Sequence, residues 1–163
     1  MEKKMGKALK YGDNINTDII SPPQYMELSV AEASAYSMQA VDPDFAGRVE
    51  KGDFFVAENN LGSGSSRETS PLTLKYLGIS CVIAKSFARI FYRNCINVGL
   101  PAIRCPAADR IQDGDRLRPD ILKGTIENVT RGEVYRCDAL PEHILEIVRA
   151  GGLFEYLKAR RKG

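Results

Sequence analysis

The sequence contains a single histidine, His143, among 163 residues. A Ser-His-Asp triad would need that histidine as its base, yet His143 stands beside apolar residues near the start of a predicted helix, without a companion motif. We interpret it as an exposed or partly buried residue of that helix. The scarcity of histidine therefore argues against a conventional triad hydrolase.

Cysteine is also scarce, and its spacing is not that of a metal site. Cys81, Cys95, Cys105 and Cys137 form no CxxC pair, which argues against structural zinc. The same spacing gives no support to an iron–sulfur cluster held by this chain alone. Cys81 lies in the apolar run 79–84 and is expected to be a small buried side chain.

Neither sign of charge dominates, and long apolar runs are absent. The 23 Lys and Arg residues against 21 Asp and Glu give a net charge of +2, whereas nucleic-acid-binding domains usually carry a strong basic excess. No apolar run approaches the roughly 20 residues that cross a bilayer, and residues 1–6 lack the apolar core of a secretory signal. We expect a cytoplasmic protein of one domain, residues 1–163, with no nucleic-acid or membrane partner.

The pattern of apolar residues predicts an α/β fold with a mixed sheet. Strands are predicted at 7–11, 53–57, 79–84, 100–103, 115–118, 123–129 and 133–137. Turns typical of hairpins lie at 113–115 and 130–133. Helices are predicted within 29–40, at 71–77, at 87–97 and after Pro141, where Gly151 and Gly152 interrupt the last helix.

The glycine- and serine-rich stretch 59–71 is the most informative part of the sequence. It joins the strand predicted at 53–57 to a helix that Ser70 is expected to cap, Pro71 to open and Gly78 to end. Free N–H groups and hydroxyls near a helix N-terminus favour an anion. The stretch therefore predicts either an anion site or a structural turn.

Arg67, within this stretch, limits the choice of anion. It occupies the third glycine position of a dinucleotide fingerprint, and the sequence has no phosphate-binding P-loop. Its planar guanidinium matches a carboxylate or a phosphate. If the turn is structural, Arg67 instead pairs with Glu68 or another acid, and the residues alone leave both interpretations open.

Two other segments carry polar side chains without a recognised site. Residues 12–18 offer oxygen ligands but lack the glycine and glutamate of an EF-hand loop, which favours a capped polar turn. In the helix predicted at 87–97, Arg89, Arg93 and Asn94 either face a partner or substrate or form a solvated surface.

Four segments together resemble the small subunits of the aconitase family, in particular those of the 3-isopropylmalate dehydratase (isopropylmalate isomerase) type. They are residues 12–18, 60–68, 86–94 and 151–156, and their order and spacing match over nearly the whole chain. The Gly-Ser-Ser-Arg-Glu run is the most specific of them. The resemblance implies an α/β fold consisting of a single swivelling β/β/α domain with a mixed sheet.

The resemblance also implies a divided enzyme. A large subunit would carry a [4Fe–4S] cluster, and this chain would bind no metal and be active only with that subunit; self-association of the lone chain is left open. The reaction would isomerise 2-isopropylmalate and 3-isopropylmalate by dehydration and rehydration in leucine biosynthesis. Iron in the partner would act as Lewis acid on the substrate hydroxyl.

The resemblance assigns roles to the glycine- and serine-rich stretch. Ser65 would be the base, working as an alkoxide that loop N–H groups and Arg67 stabilise. Arg67 would bind a substrate carboxylate, Ser66 would donate a further hydrogen bond, and Gly64 would contribute to substrate binding. Many relatives have His-Ala where Thr69 and Ser70 stand here, which we interpret as a capping variation.

Within the family, substrate choice follows the loop at 24–28. Homoaconitase-like subunits have an arginine there for a third carboxylate, whereas this chain has Glu27, which would repel it. Met26 and Leu28, beside Tyr25, would face an apolar substituent such as isopropyl. Subunits for citramalate, 2,3-dimethylmalate or homoaconitate remain alternatives, as does a non-catalytic anion-binding module.

Overall fold

Seven strands form one mixed sheet in the computed structural model, which describes residues 4–162. They are β1 (Gly6–Lys10), β2 (Phe54–Val56), β3 (Cys81–Ala84), β4 (Ala102–Arg104), β5 (Arg116–Asp120), β6 (Thr125–Asn128) and β7 (Glu133–Arg136). The spatial order is β4-β3-β2-β1-β5-β6-β7. Strands β1 to β4 pair in parallel, and β1, β5, β6 and β7 pair antiparallel.

Helices follow most of the parallel strands. They are α1 (Thr17–Ile20), α2 (Val30–Ser34), α3 (Phe45–Arg48), α4 (Thr69–Leu77), α5 (Arg89–Asn97), α6 (Glu142–Ala150) and α7 (Leu153–Lys162). Short 3-10 turns occupy Pro23–Tyr25 and Ala108–Arg110. No helix within residues 4–162 is both long enough and apolar enough to span a membrane.

Alternate residues of the parallel strands point to opposite faces of the sheet, and both faces are covered by other parts of the chain. Leu9, Phe55 and Val82 face the helices and belong to a core that includes Leu74, Phe91 and Val148. Ala8, Phe54 and Ile83 pack instead with residues of the antiparallel strands, namely Leu117, Ile126 and Tyr135. The layers are therefore β/β/α, and the predicted fold class is confirmed.

The curl of the sheet brings its two outer strands together. The N–H of Asp138, just after β7, donates to the carbonyl of Arg104 in β4 at 2.9 Å. The side chains of these two residues form an ion pair, with Nε and Oδ2 2.8 Å apart. The sheet thus comes close to a closed barrel at this seam.

The helix predicted within residues 29–40 is present as α2, which ends at Ser34. Two other predictions about local structure are wrong. The turn at 113–115 forms no hairpin, since β5 pairs with β1. Ser70 does not cap α4, which begins one residue earlier; Ser70 lies buried inside the first turn.

Other predicted turns and stops are confirmed. The 130–133 turn joins β6 to β7 as a hairpin. Gly78 ends α4 with φ +116°, and Gly151 ends α6 with φ +98°. Both glycines adopt the left-handed conformation that other residues avoid.

Candidate active site

Three loops meet at the carboxyl ends of neighbouring parallel strands. Residues 12–16 follow β1, residues 57–68 follow β2, and residues 85–88 follow β3. In open α/β sheets this edge is where ligands bind. The topology therefore places three of the four segments that carry the family resemblance at one edge.

The polar turn after β1 holds the glycine- and serine-rich loop in place. Gly62 N–H donates to the carbonyl of Ile15 at 2.8 Å, and Thr17 N–H donates to the carbonyl of Ser63 at 2.9 Å. The Thr17 hydroxyl donates to the carbonyl of Ser65 at 2.8 Å. Thr17 is buried and was not among the predicted site residues.

The loop is fixed from its other side by the segment that follows β3. Leu61 N–H donates to the carbonyl of Ser86 at 3.1 Å, and Ala88 N–H donates to the carbonyl of Leu61 at 2.9 Å. Gly62 has φ +86° and lies against Phe91, where a Cβ would come within 2.0 Å of the ring. Only glycine fits between the loop and α5 at this point.

The loop opens onto a cleft of about 240 Å³. Gly64, Ser65 and Ser66 line it, together with Thr17 and residues of α5 that include Arg89, Ile90 and Asn94. Both serines are exposed. Among residues 4–162 their hydroxyls have no hydrogen-bond partner, and the N–H groups of Gly64, Ser65 and Ser66 have no acceptor. Such a run of free N–H groups suits an anion.

Arg67 does not line this cleft. Its Nη2 lies 3.0 Å from Oδ1 of Asp18, and its side chain is 14% exposed. Its Nε and Nη1 are buried with no hydrogen-bond partner. An acid does pair with Arg67, as the structural interpretation predicted, but it is Asp18 rather than Glu68. Two unpaired donors on a buried cation are energetically costly and suit an incoming acceptor.

The loop at 24–28 is not brought to the serine cleft. Tyr25, Met26 and Leu28 line a separate small cavity of about 30 Å³ with Thr69 and Thr73. The ring of Tyr25 stacks on Tyr36 at 4.0 Å, and Glu27 is exposed. Thr69 lines this small cavity and is also the first residue of α4, directly after the glycine- and serine-rich loop, so it links the cavity to the serine cleft through the chain.

The remaining candidate residues lie away from the cleft. His143 is exposed on α6, in agreement with its interpretation as a helix residue. Cys81, Cys95 and Cys105 are buried, and Cys137 is half-buried. Burial raises the pKa of all four thiols, that of Cys137 to about 12. In the described part of the chain no three His, Cys, Asp or Glu residues are grouped to hold a metal.

A β/β/α domain with a Gly-Ser-Ser-Arg loop at the carboxyl edge of its parallel strands is the combination of fold and site that defines the protein class of this chain. The sequence matches the aconitase C-terminal domain family over residues 4–108, and the chain belongs to this family.

The individual proteins to which this chain is similar indicate a narrower group within the family. The 3-isopropylmalate dehydratase small subunit of Methanosarcina acetivorans is 49% identical over 154 residues, which are 94% of this chain and 95% of that protein. The 2,3-dimethylmalate dehydratase small subunit of Eubacterium barkeri is 45% identical over 162 residues, 98% and 99% of the two chains. The crystal structure of a 3-isopropylmalate dehydratase from Methanocaldococcus jannaschii superposes with a TM-score of 0.92 at 43% identity, covering 96% of this chain and 94% of that one.

Proposed function

We propose that this chain is the small subunit of a hydro-lyase that interconverts 2-isopropylmalate and 3-isopropylmalate in leucine biosynthesis, active with a large subunit. The names of its similar proteins support this proposal. The observation that carries it is the cleft in which Ser65 and Ser66 stand beside free loop N–H groups. The cleft is open, and among residues 4–162 no carboxylate or histidine lines it, as expected for half of a shared site.

In this proposal Ser65 removes the proton from the carbon next to a substrate carboxylate. An alkoxide in water is costly, and Ser65 is exposed in the lone chain. The large subunit must therefore cover the cleft, so that water is excluded and the loop N–H groups stabilise the developing charge. The hydrogen bond from Thr17 to the Ser65 carbonyl holds the base in position.

Arg67 is proposed to bind a substrate carboxylate through the nitrogens that Asp18 leaves free. Because Nε and Nη1 are buried, the loop has to move when the carboxylate enters. Ser66 and the N–H of Gly64 would hold the rest of the anion. The [4Fe–4S] cluster is assigned to the large subunit, where its iron supplies the Lewis acid for the substrate hydroxyl.

Replacing Ser65 with alanine tests the role of the base. We expect turnover of the reconstituted complex to fall by about 10²-fold or more, the scale of one missing group in a polar active site. The matched control is Ser63→Ala, because Ser63 does not line the cleft and should keep near wild-type turnover. Unchanged turnover in Ser65→Ala would rule out this base. A chain that binds a malate analogue alone and needs no partner would instead be an anion-binding module.

The substrate is the second point that needs an experiment. The Eubacterium barkeri relative favours a 2,3-dimethylmalate hydro-lyase as the alternative function. Met26 and Leu28 present apolar surface, with exposures of 64% and 38%, but lie outside the serine cleft, so the loop at 24–28 would have to move to place them against an alkyl substituent of either substrate. Comparing kcat/KM for isopropylmalate, citramalate, 2,3-dimethylmalate and homoaconitate separates the alternatives, and we expect isopropylmalate to be preferred.

A further inference from the structure

The outer face of helix α5 carries an unusual combination of exposed side chains. Arg89 and Arg93 stand four residues apart, and Ile90 and Arg93 three apart, so Arg93 neighbours both of the others on the helix surface. Both arginines are exposed, and Ile90 is 52% exposed. We call these three residues the α5 outer face.

The two arginines of this face have no counter-charge. Helix α5 contains no acidic residue. Over residues 4–162 neither guanidinium has an ion pair or a hydrogen bond. Arg104, by contrast, is held by Asp138. The α5 outer face therefore presents unpaired positive charge around an apolar centre.

The position of α5 ties this face to the candidate active site. Its first turn lines the cleft beside Ser65 and Ser66, through Arg89 and Ile90. A protein that covers the cleft beside Ser65 and Ser66 would therefore lie next to Arg89 and Ile90. Arg89 also borders a second hollow, of about 740 Å³, lined by Phe87, Tyr92 and residues 137–141 among others.

Helix α5 is also fixed to the glycine- and serine-rich loop. The contact of Phe91 with Gly62 and the hydrogen bond from Ala88 to Leu61 leave little freedom between them. A protein bound on this helix would be held in register with Ser65. Other exposed apolar side chains, such as Val134 and Phe154, border neither hollow.

We propose that the α5 outer face is the docking surface for the large subunit, with Ile90 packed against an apolar partner side chain and Arg89 and Arg93 paired with partner carboxylates. The inference rests on the proposed function, because it takes the missing half of the site to be another protein. Arginine is favoured at the centres of interfaces. Opposite charges across the surface would also speed association.

The test measures binding of the full-length chain to its cluster-bearing large subunit by isothermal titration. We expect Ile90→Asp to raise Kd about tenfold or more, and Arg89→Glu with Arg93→Glu to raise it about 100-fold. Added salt should weaken wild-type binding and should not weaken the double variant further. Thermal melting checks that each variant is folded, which is expected because all three side chains are exposed.

Matched controls come from the antiparallel strands. Arg116→Glu with Arg136→Glu reverses two exposed charges there, and Val134→Asp places a charge at a side chain that is 67% exposed. These variants should bind the large subunit like the wild type. Equal losses in the controls and in the α5 variants would overturn the proposal.

The outcomes separate this inference from the proposed function. If the wild-type complex turns over isopropylmalate and the α5 variants bind normally, the docking surface is wrong and the function stands. If the complex forms, the α5 variants disrupt it and isopropylmalate is not a substrate, the docking surface stands and the function is wrong. If the lone chain sediments as a dimer that the α5 variants dissociate, the occupant of the α5 outer face is a second copy of the chain, and the proposal is overturned. A wild-type chain that binds no large subunit would also overturn it.

Discussion

A single carboxylate, that of Asp18, determines how Arg67 is held in the lone chain. It contacts only Nη2, so it orients the guanidinium without occupying the other two nitrogens. Asp18 itself is 53% exposed at its side chain. This geometry suits a residue that positions Arg67 for a second carboxylate.

Replacing Asp18 with asparagine tests this positioning role. The variant keeps the size of the side chain but removes the charge that orients Arg67, and we expect kcat/KM to fall about tenfold, since small losses of orientation are costly in catalysis. The control is Asp13→Asn in the same turn. Asp13 accepts from Asn59 rather than from Arg67, and asparagine preserves that acceptor. Equal effects of the two changes on steady-state kinetics would show that Asp18 has no specific role.

The grouping of part of the candidate site was predictable at the level of residues. Gly64, Ser65 and Ser66 lie together in one cleft because they are consecutive in a recognisable loop. Thr17 and Asp18 were not predicted, because their contacts join residues about fifty positions apart, 48 in the case of Thr17 and Ser65. Those contacts exist only because β1 and β2 are neighbours, and no local pattern reveals which strands pair.

The loop and helix α5 act as one structural element, joined at Gly62. An added methyl group there would meet the ring of Phe91, and φ of +86° would be strained for any other residue. Gly64, two residues on, has a similar φ of +98°, but its Cβ would come no closer than 3.5 Å to Thr17. Substitutions at these two glycines therefore distinguish the effect of close packing on stability from the effect of backbone conformation.

Alanine at these two positions should destabilise the chain unequally. We expect Gly62→Ala to lower the free energy of unfolding by about 2–4 kcal/mol, from the left-handed backbone and the overpacking together. Gly64→Ala should lower it by about 1 kcal/mol, from the backbone alone. Urea denaturation monitored by circular dichroism measures both. Equal losses would mean that the contact with Phe91 relaxes freely.

Elements with a strong local pattern were predictable, whereas their pairing was not. The apolar period of α5 and the buried run of β3 both appear where the sequence indicated them. The supposed hairpin at 113–115 was wrong because β5 pairs with β1, which lies about a hundred residues earlier; Lys10 N–H and Asp113 Oδ1 bond across a separation of 103. Long-range pairing of this kind outweighs a local turn signal.

The parallel and antiparallel halves of the molecule are joined near Asp115. Its carbonyl accepts from Ala8 N–H of β1 at 2.8 Å. Its buried carboxylate accepts from Gln112 N–H, Asn128 Nδ2 and Arg131 Nε, each at 2.9 Å. Burial alone would raise the pKa of this carboxyl, but these hydrogen bonds and the charge of Arg131 together lower it.

The lowered pKa makes stability depend on pH. Because the folded chain binds the proton more weakly than the unfolded chain, the stabilisation is complete above the ordinary pKa of 3.8 and is lost as pH falls toward the folded value. Asp115→Asn should cost about 2 kcal/mol at neutral pH. It should also flatten the decline in unfolding free energy between about pH 5 and pH 2.

Urea titrations at several pH values measure this difference. Asp44→Asn is the control, since Asp44 is exposed and its side chain makes no capping hydrogen bond. It should leave the acid dependence unchanged. Parallel pH profiles for Asp115→Asn and the wild type would contradict the assignment.

The seam between Arg104 and Asp138 has a consequence for how the chain behaves among other copies of itself. An unpaired outer strand offers a template on which other chains add, strand by strand, into aggregates. Here the N–H of Asp138, two residues after β7, donates to the carbonyl of Arg104 in β4, so the two outer strands shield each other at this point. The seam in this way protects the chain from polymerising through these outer strands.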